Sequence, residues 1–115
     1  MKKVYILGID TSCDDTSVAI LENENVLANV VSSQIDIHKS WGGVVPNLAR
    51  REHEKMIKKC YDLALKKAQI KDPKKLSAIS VTYGPGLAPA LEVGVFFARN
   101  LAIYLDKPLI AVNHM

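Results

Sequence analysis

The chain has 115 residues, of which 49% are hydrophobic and 23% charged, and a net charge of +3. This is the length of one small domain and the composition of a folded globular protein, which excludes intrinsic disorder, fibrous repeats and low-complexity architecture. The two cysteines, Cys13 and Cys60, have neither metal-type spacing nor the density of a disulfide framework, so a reducing cytosol is expected.

The opening "MKKVYILGID" breaks its apolar run at Gly8 and Asp10, and the longest later apolar stretch carries Glu92, Arg99 and Asn100. Neither a signal peptide nor a spanning helix is expected, so no membrane partner is assigned and the location is cytoplasmic. Charge is unevenly placed. From Arg50 to Lys75 there are ten Lys/Arg against four Asp/Glu, a local balance of +6. Such a segment suits an anionic or nucleic-acid partner, although a solvated helix face is the commoner source of such a pattern.

In chain order, "KVYILGID" reads as a buried strand and "TSVAILEN" as a second. "ENEN" is a turn, and "VLANVVSSQ" a third strand. Connections this short imply an antiparallel meander. "DIHKSWGGVV" is a loop with a Gly-Gly hinge, after which Pro46 suits a first helical position. Ile57, Cys60, Tyr61, Ala64, Leu65 and Ala68 then form one apolar stripe at three- and four-residue steps, with Lys58, Lys59, Lys66 and Lys67 off it.

"KDPKK" is expected to end that helix. "LSAISVTYG" is a fourth strand, "PGLAP" a turn, and "ALEVGVFFARNLAIYL" a second long helix stopped by "DKP". "LIAV" is the fifth strand. The order β-β-β-α-β-α-β, with right-handed crossovers, defines an α/β ribonuclease-H-like lobe with a five-stranded mixed sheet. Two helices can cover only one sheet face. Residues alternating with Tyr5, Leu7, Val18 and Ile20, in one register or the other, are expected to meet water and to favour self-association.

Chemistry concentrates at strand ends. "GIDTSCDDTSVAI" sets Asp10 at a strand end before a tight turn of Thr11, Ser12, Cys13, Asp14 and Asp15. Amides and hydroxyls there can grip a phosphate, and a strand-end carboxylate can hold a metal or its water. A polar hairpin that satisfies its own backbone explains the same residues. Gly84, Pro85 and Gly86 let backbone approach a ligand near a helix N-terminus, but without the Walker lysine or dinucleotide glycine spacing a rigid turn explains them as well.

Cys13 has no local base and reads as a packed or hydrogen-bonding thiol rather than a nucleophile. His38 and His53 lack metal spacing and read as loop-fixing or helix-start histidines. His114 falls at a strand tip, where α/β proteins place ligands, yet one histidine makes no metal site.

Taken together, "GIDTSCDDTSVAI", "SQIDIHKSWGGVVPNLARREH", "YGPGLAPALEVG" and "AVNHM" resemble, in that order and spacing, the N-terminal part of the bacterial TsaD family. Its members are tRNA threonylcarbamoyladenosine synthase subunits, long labelled O-sialoglycoprotein endopeptidases (glycoproteases). The resemblance covers essentially the whole chain and implies the ASKHA, or actin-like ATPase, fold: two ribonuclease-H-like lobes with the site between them. It implies transfer of a threonylcarbamoyl group from its adenylate to the adenosine beside the anticodon. It also implies an iron or zinc ion on an H-x-x-x-H motif plus an aspartate. The implied partners are tRNA, a TsaB-type paralogue and a TsaE-type ATPase.

On that resemblance His114 matches the first metal histidine, and the second would fall four residues further on, past Met115. The glycine-rich nucleotide stretch belongs to the family's C-terminal part. Residues 1–115 are therefore expected to be one truncated N-terminal lobe without its C-terminal lobe, inactive alone. Asp14 matches the acidic residue near the reacting group, with Ser12 and Cys13 as turn backbone. The sequence departs from the family at Asp10, where Glu is usual, at Asn47, where Glu is common, and at Pro89, where Gly is frequent. The alternatives are a non-catalytic TsaB-like dimerisation paralogue, a sugar- or acetate-kinase-type phosphotransferase, and a metalloprotease. "SCDD" and "NHM" disfavour the first two, and the absence of H-E-x-x-H disfavours the third.

Overall fold

The computed structural model describes residues 2–12, 15–33, 46–85 and 88–113. Strands β1 (Tyr5–Asp10), β2 (Asp15–Glu22) and β3 (Asn25–Ser33) form the meander. Helix α1 (Pro46–Lys67), a 3-10 turn (Pro73–Lys75), β4 (Ala78–Gly84), α2 (Ala88–Leu105) and β5 (Leu109–Asn113) follow. The sheet order is β3-β2-β1-β4-β5. β1 pairs antiparallel with β2 and parallel with β4, and β4 pairs parallel with β5. This is the expected ribonuclease-H-like α/β lobe.

Period-two alternation decides which face is covered. Leu7, Ile9, Val18, Ile20, Ile79 and Val81 lie under the two helices, none more than 3% exposed. α1 packs on β2 and β3, and α2 on β4 and β1. Ile57, Cys60, Tyr61, Ala64 and Leu65 of the expected stripe are buried, and Ala68 is half-buried just past the helix. Val18 and Ile20 thus belong to the covered face. Their alternates Ile6, Ala19 and Leu21 face the other way and are half-buried.

Two boundaries differ from the sequence reading. α1 stops at Lys67, before "KDPKK", through paired C-terminal bonds: the Ile70 amide donates to the Leu65 carbonyl and the Gln69 amide to Lys66. α2 ends the same way, with Lys107 donating to Ala102 and Asp106 to Ile103. These are Schellman ends whose left-handed residues, Gln69 (φ 58) and Asp106 (φ 56), are not glycine. At its other end α2 begins at Ala88, so Pro89 lies in the first helical turn, where its missing N–H costs nothing.

α2 is long and apolar enough, by length and composition, to cross a membrane. Here it is a core helix: Ala90, Val93, Gly94, Ala98 and Ala102 are buried inside the domain.

Candidate active site at the carboxyl edge of the sheet

The parallel strands β1, β4 and β5 end on one edge, bringing Asp10, Gly84 and Asn113 to the same side of the sheet. This is where ligands bind in α/β folds. Asp10 is tied down there. Its Oδ1 accepts the Ser12 amide at 2.7 Å, an Asx-type closure, and its Oδ2 accepts the Thr82 hydroxyl at 3.1 Å. The self-satisfying hairpin is therefore realised at Asp10, whose two oxygens both take donors from the protein.

Ser12 is buried at 8% exposure. Its amide is committed to Asp10. Gly84 closes β4 opposite Asn113, after a register shift that leaves Tyr83 without a pairing partner on β5. A Cβ at Gly84 would meet nothing within 4 Å, so packing against the described residues does not require glycine there. Cys13, Asp14, Gly86 and His114 lie outside the described residues. Among the described residues no three His, Cys, Asp or Glu side chains come together as a metal site.

Two threonines that bracket the turn carry more structure than their sequence suggested. Thr11 and Thr16 both have no exposure. The Thr11 hydroxyl donates to the Ala90 carbonyl at 2.7 Å and accepts the Gly94 amide at 3.1 Å, joining the turn to α2. Thr16 Oγ1 is 2.7 Å from His53 Nδ1, and the Thr16 carbonyl accepts the Cys60 thiol at 3.9 Å, joining the turn to α1. His53 is itself fully buried within α1, as a strut between helix and strand. Burial pushes the Cys60 thiol above its ordinary pKa, which keeps it protonated and unreactive.

A second feature lies on the outer side of the helices. α1 and α2 enclose a groove of about 1400 Å³ whose floor includes Ile57, Tyr61, Leu91 and Phe97. Tyr61 and Phe97 meet edge to face at 5.6 Å. Phe96 (67% exposed) and Tyr104 (83%) stand on the rim. The charged rim is balanced, with Lys58, Lys71 and Arg99 against Glu54, Asp62 and Glu92. The exposed Lys55, Lys59 and Lys66 of the basic segment do not line it.

The fold and the strand-edge turn define an ASKHA-type, ribonuclease-H-like lobe. Two solved structures share it. "YeaZ from Pseudomonas aeruginosa" superposes with a TM-score of 0.74 at 21% identity, covering 96% of this chain and 43% of that one. A second structure, of "an uncharacterized protein with similarity to peptidase YEAZ from Pseudomonas aeruginosa", superposes with the same TM-score of 0.74 at 23% identity and the same coverage. At such identities the likeness shows the fold alone.

The sequence narrows it further. The family model "TsaD: tRNA N6-adenosine threonylcarbamoyltransferase" matches residues 25–115, and the chain belongs to that family. Proteins named tRNA N6-adenosine threonylcarbamoyltransferase from Thermosipho melanesiensis and Streptococcus equi are each 54% identical over 112 residues, or 97% and 96% of this chain. The corresponding Streptococcus sanguinis protein is 52% identical over 116 residues and the whole chain. The chain spans about a third of the length of these relatives.

Proposed function

We propose that these residues form the first lobe of a transferase that moves a threonylcarbamoyl group from its adenylate to the N6 amine of a tRNA adenosine beside the anticodon. The observation that carries this is identity of about 54% with named transferases over nearly the whole chain. The place of the turn supports it, because the carboxyl edge of the parallel strands is where α/β folds bind their ligands.

In this reading Asp14 orients the attacking amine or takes its proton. Ser12, Cys13, Gly84 and Gly86 are assigned to binding the carbamoyl and phosphate groups. A bound divalent metal, iron or zinc, would supply Lewis acidity, with His114 as the ligand contributed by this chain. Further metal ligands and most of the nucleotide contacts fall to the part of the relatives' length that these residues do not span. Residues 1–115 by themselves are accordingly inactive. The protein acts in the cytoplasm, where its tRNA is.

Two partners fit two surfaces. The groove between α1 and α2, apolar in its floor and balanced in charge at its rim, suits a protein helix and is assigned to a TsaB-type paralogue. The exposed Lys55, Lys59 and Lys66 outside that groove suit a phosphate backbone and are assigned to tRNA. A TsaE-type ATPase completes the set by family resemblance. Alone, the chain is expected to pair with itself through the open sheet face or the groove. A metalloprotease has no comparable support from the named relatives.

The test uses the complete polypeptide that carries these residues, with tRNA, threonylcarbamoyl-adenylate and the partner proteins. Asp14→Asn should lower turnover by about 100-fold or more with tRNA affinity kept, as expected for loss of a positioned acid–base group. Unchanged turnover would remove Asp14 from the chemistry.

A further inference from the structure

We infer that Thr11 and Thr16 are positioning residues, each holding one end of the β1–β2 turn against a different helix, with Gly94 and His53 as their anchors. The inference rests on the proposed use of that turn as the substrate site.

Burying a hydroxyl without partners is unfavourable, so a buried threonine in a polar turn signals a specific hydrogen bond rather than filler. Thr11 Oγ1 bridges the Ala90 carbonyl and the Gly94 amide, the pair that the i to i−4 pattern of a helix joins. A Cβ on residue 94 would sit 2.5 Å from that oxygen, so this close approach of turn and helix requires glycine. On the other side, Thr16 is held twice by α1, through His53 Nδ1 and through Cys60 Sγ, residues seven apart on one helix face. The Asp10 carboxylate adds a third tie, to Thr82 of β4. The residues that lead into and out of the turn are thereby tied to three elements, α2, α1 and β4.

Fold stability alone would explain buried threonines equally well, so the experiment separates placement from stability. In the complete polypeptide, Thr16→Val and Thr11→Val are compared with Ile79→Val, a core change far from the turn. If the threonines place the turn, kcat falls by about tenfold or more in both valine variants with KM within about twofold, since small misplacements near reacting atoms are costly in rate. Ile79→Val keeps kcat, and Thr16→Ser, which retains a hydroxyl, restores most of it. A kcat that merely follows thermal stability across the series overturns the inference.

Amide hydrogen exchange at Ser12 and Asp15 gives a readout independent of the reaction. It should accelerate by about tenfold in the threonine variants beyond any global change, and not in the control. Equal protection in all variants overturns the inference. Absence of transfer by the wild type would overturn the functional reading instead, and the exchange result would still decide the positioning.

Discussion

On one face of the sheet Leu7, Val18, Ile20 and Ile79 have no exposure; on the other, Ile6, Ala19 and Leu21 remain half-buried beside Gly8 and Ser80. The same five strands make both faces, and among the described residues the helices pack on the first. The covered face holds the domain together, and through Thr11 and Thr16 it also holds the turn. The second face contributes only the tie from Thr82 to Asp10, and its small residues leave a shallow crease lined by Gly8, Ser17, Ala19 and Ser80. Most of the packing and both threonine ties to the turn therefore lie in one layer of contacts, and within that layer only changes at those ties are expected to reach the site.

The contrast is broken most severely in the core. Ile79→Ala should cost about 2–5 kcal/mol, by lost burial plus the cavity left behind, whereas Leu21→Ala on the open face should cost well under half of that. Urea denaturation of the two variants checks this, and equal losses would erase the distinction between the faces.

Gly94→Ala comes next, at about 1–3 kcal/mol, because the added methyl must displace Thr11 Oγ1 from its bridge. A thermal melt indistinguishable from wild type would mean the helix can retreat from the turn at no cost.

Association sharpens the comparison without touching the core. Val18 and Ile20 are unsuitable probes because they lie beneath the helices. Val112→Lys on the outward strand β5 and Phe96→Lys in the groove address the two routes separately, since both residues are exposed. Sedimentation velocity on residues 1–115 should show pairing abolished by one of these and not the other, as expected when a charge enters an apolar contact. A wild type monomeric at high concentration would exclude both routes.

The smallest effect is a pH dependence. Burial raises the Cys60 thiol above its ordinary pKa, and burial, followed by the charges of Asp62 and Tyr104, raises the Tyr61 hydroxyl above its own. Both groups are neutral when protonated, so the folded state keeps their protons longer than the unfolded chain does. Their stabilising contribution is complete below about pH 9 and declines as pH rises past the ordinary values toward the raised ones. Denaturant midpoints should fall on the alkaline side, and Cys60→Ala should remove part of that slope.

Strand order and covered stripe were legible in the sequence because alternation in "YILGID" and the spacing from Ile57 to Leu65 each follow a backbone period. Helix ends were not, because Gln69 and Asp106 take a conformation that usually announces itself as glycine. The turn "TSCDDT" stood out in the sequence through its run of polar residues and its family resemblance, and its central Cys13 and Asp14 lie outside the described residues. Its two flanking threonines were not singled out, since their partners lie 79, 83 and 37 residues away in the chain and no local pattern carries that information.

The proposal that these residues form one lobe of a threonylcarbamoyltransferase predicts the outcome of digesting tRNA after incubation with threonylcarbamoyl-adenylate and the partner proteins and measuring modified adenosine by mass spectrometry. The complete polypeptide should produce threonylcarbamoyladenosine, and residues 1–115 alone should stay at background. Modified adenosine from residues 1–115 alone, or none from the complete polypeptide, would contradict the account.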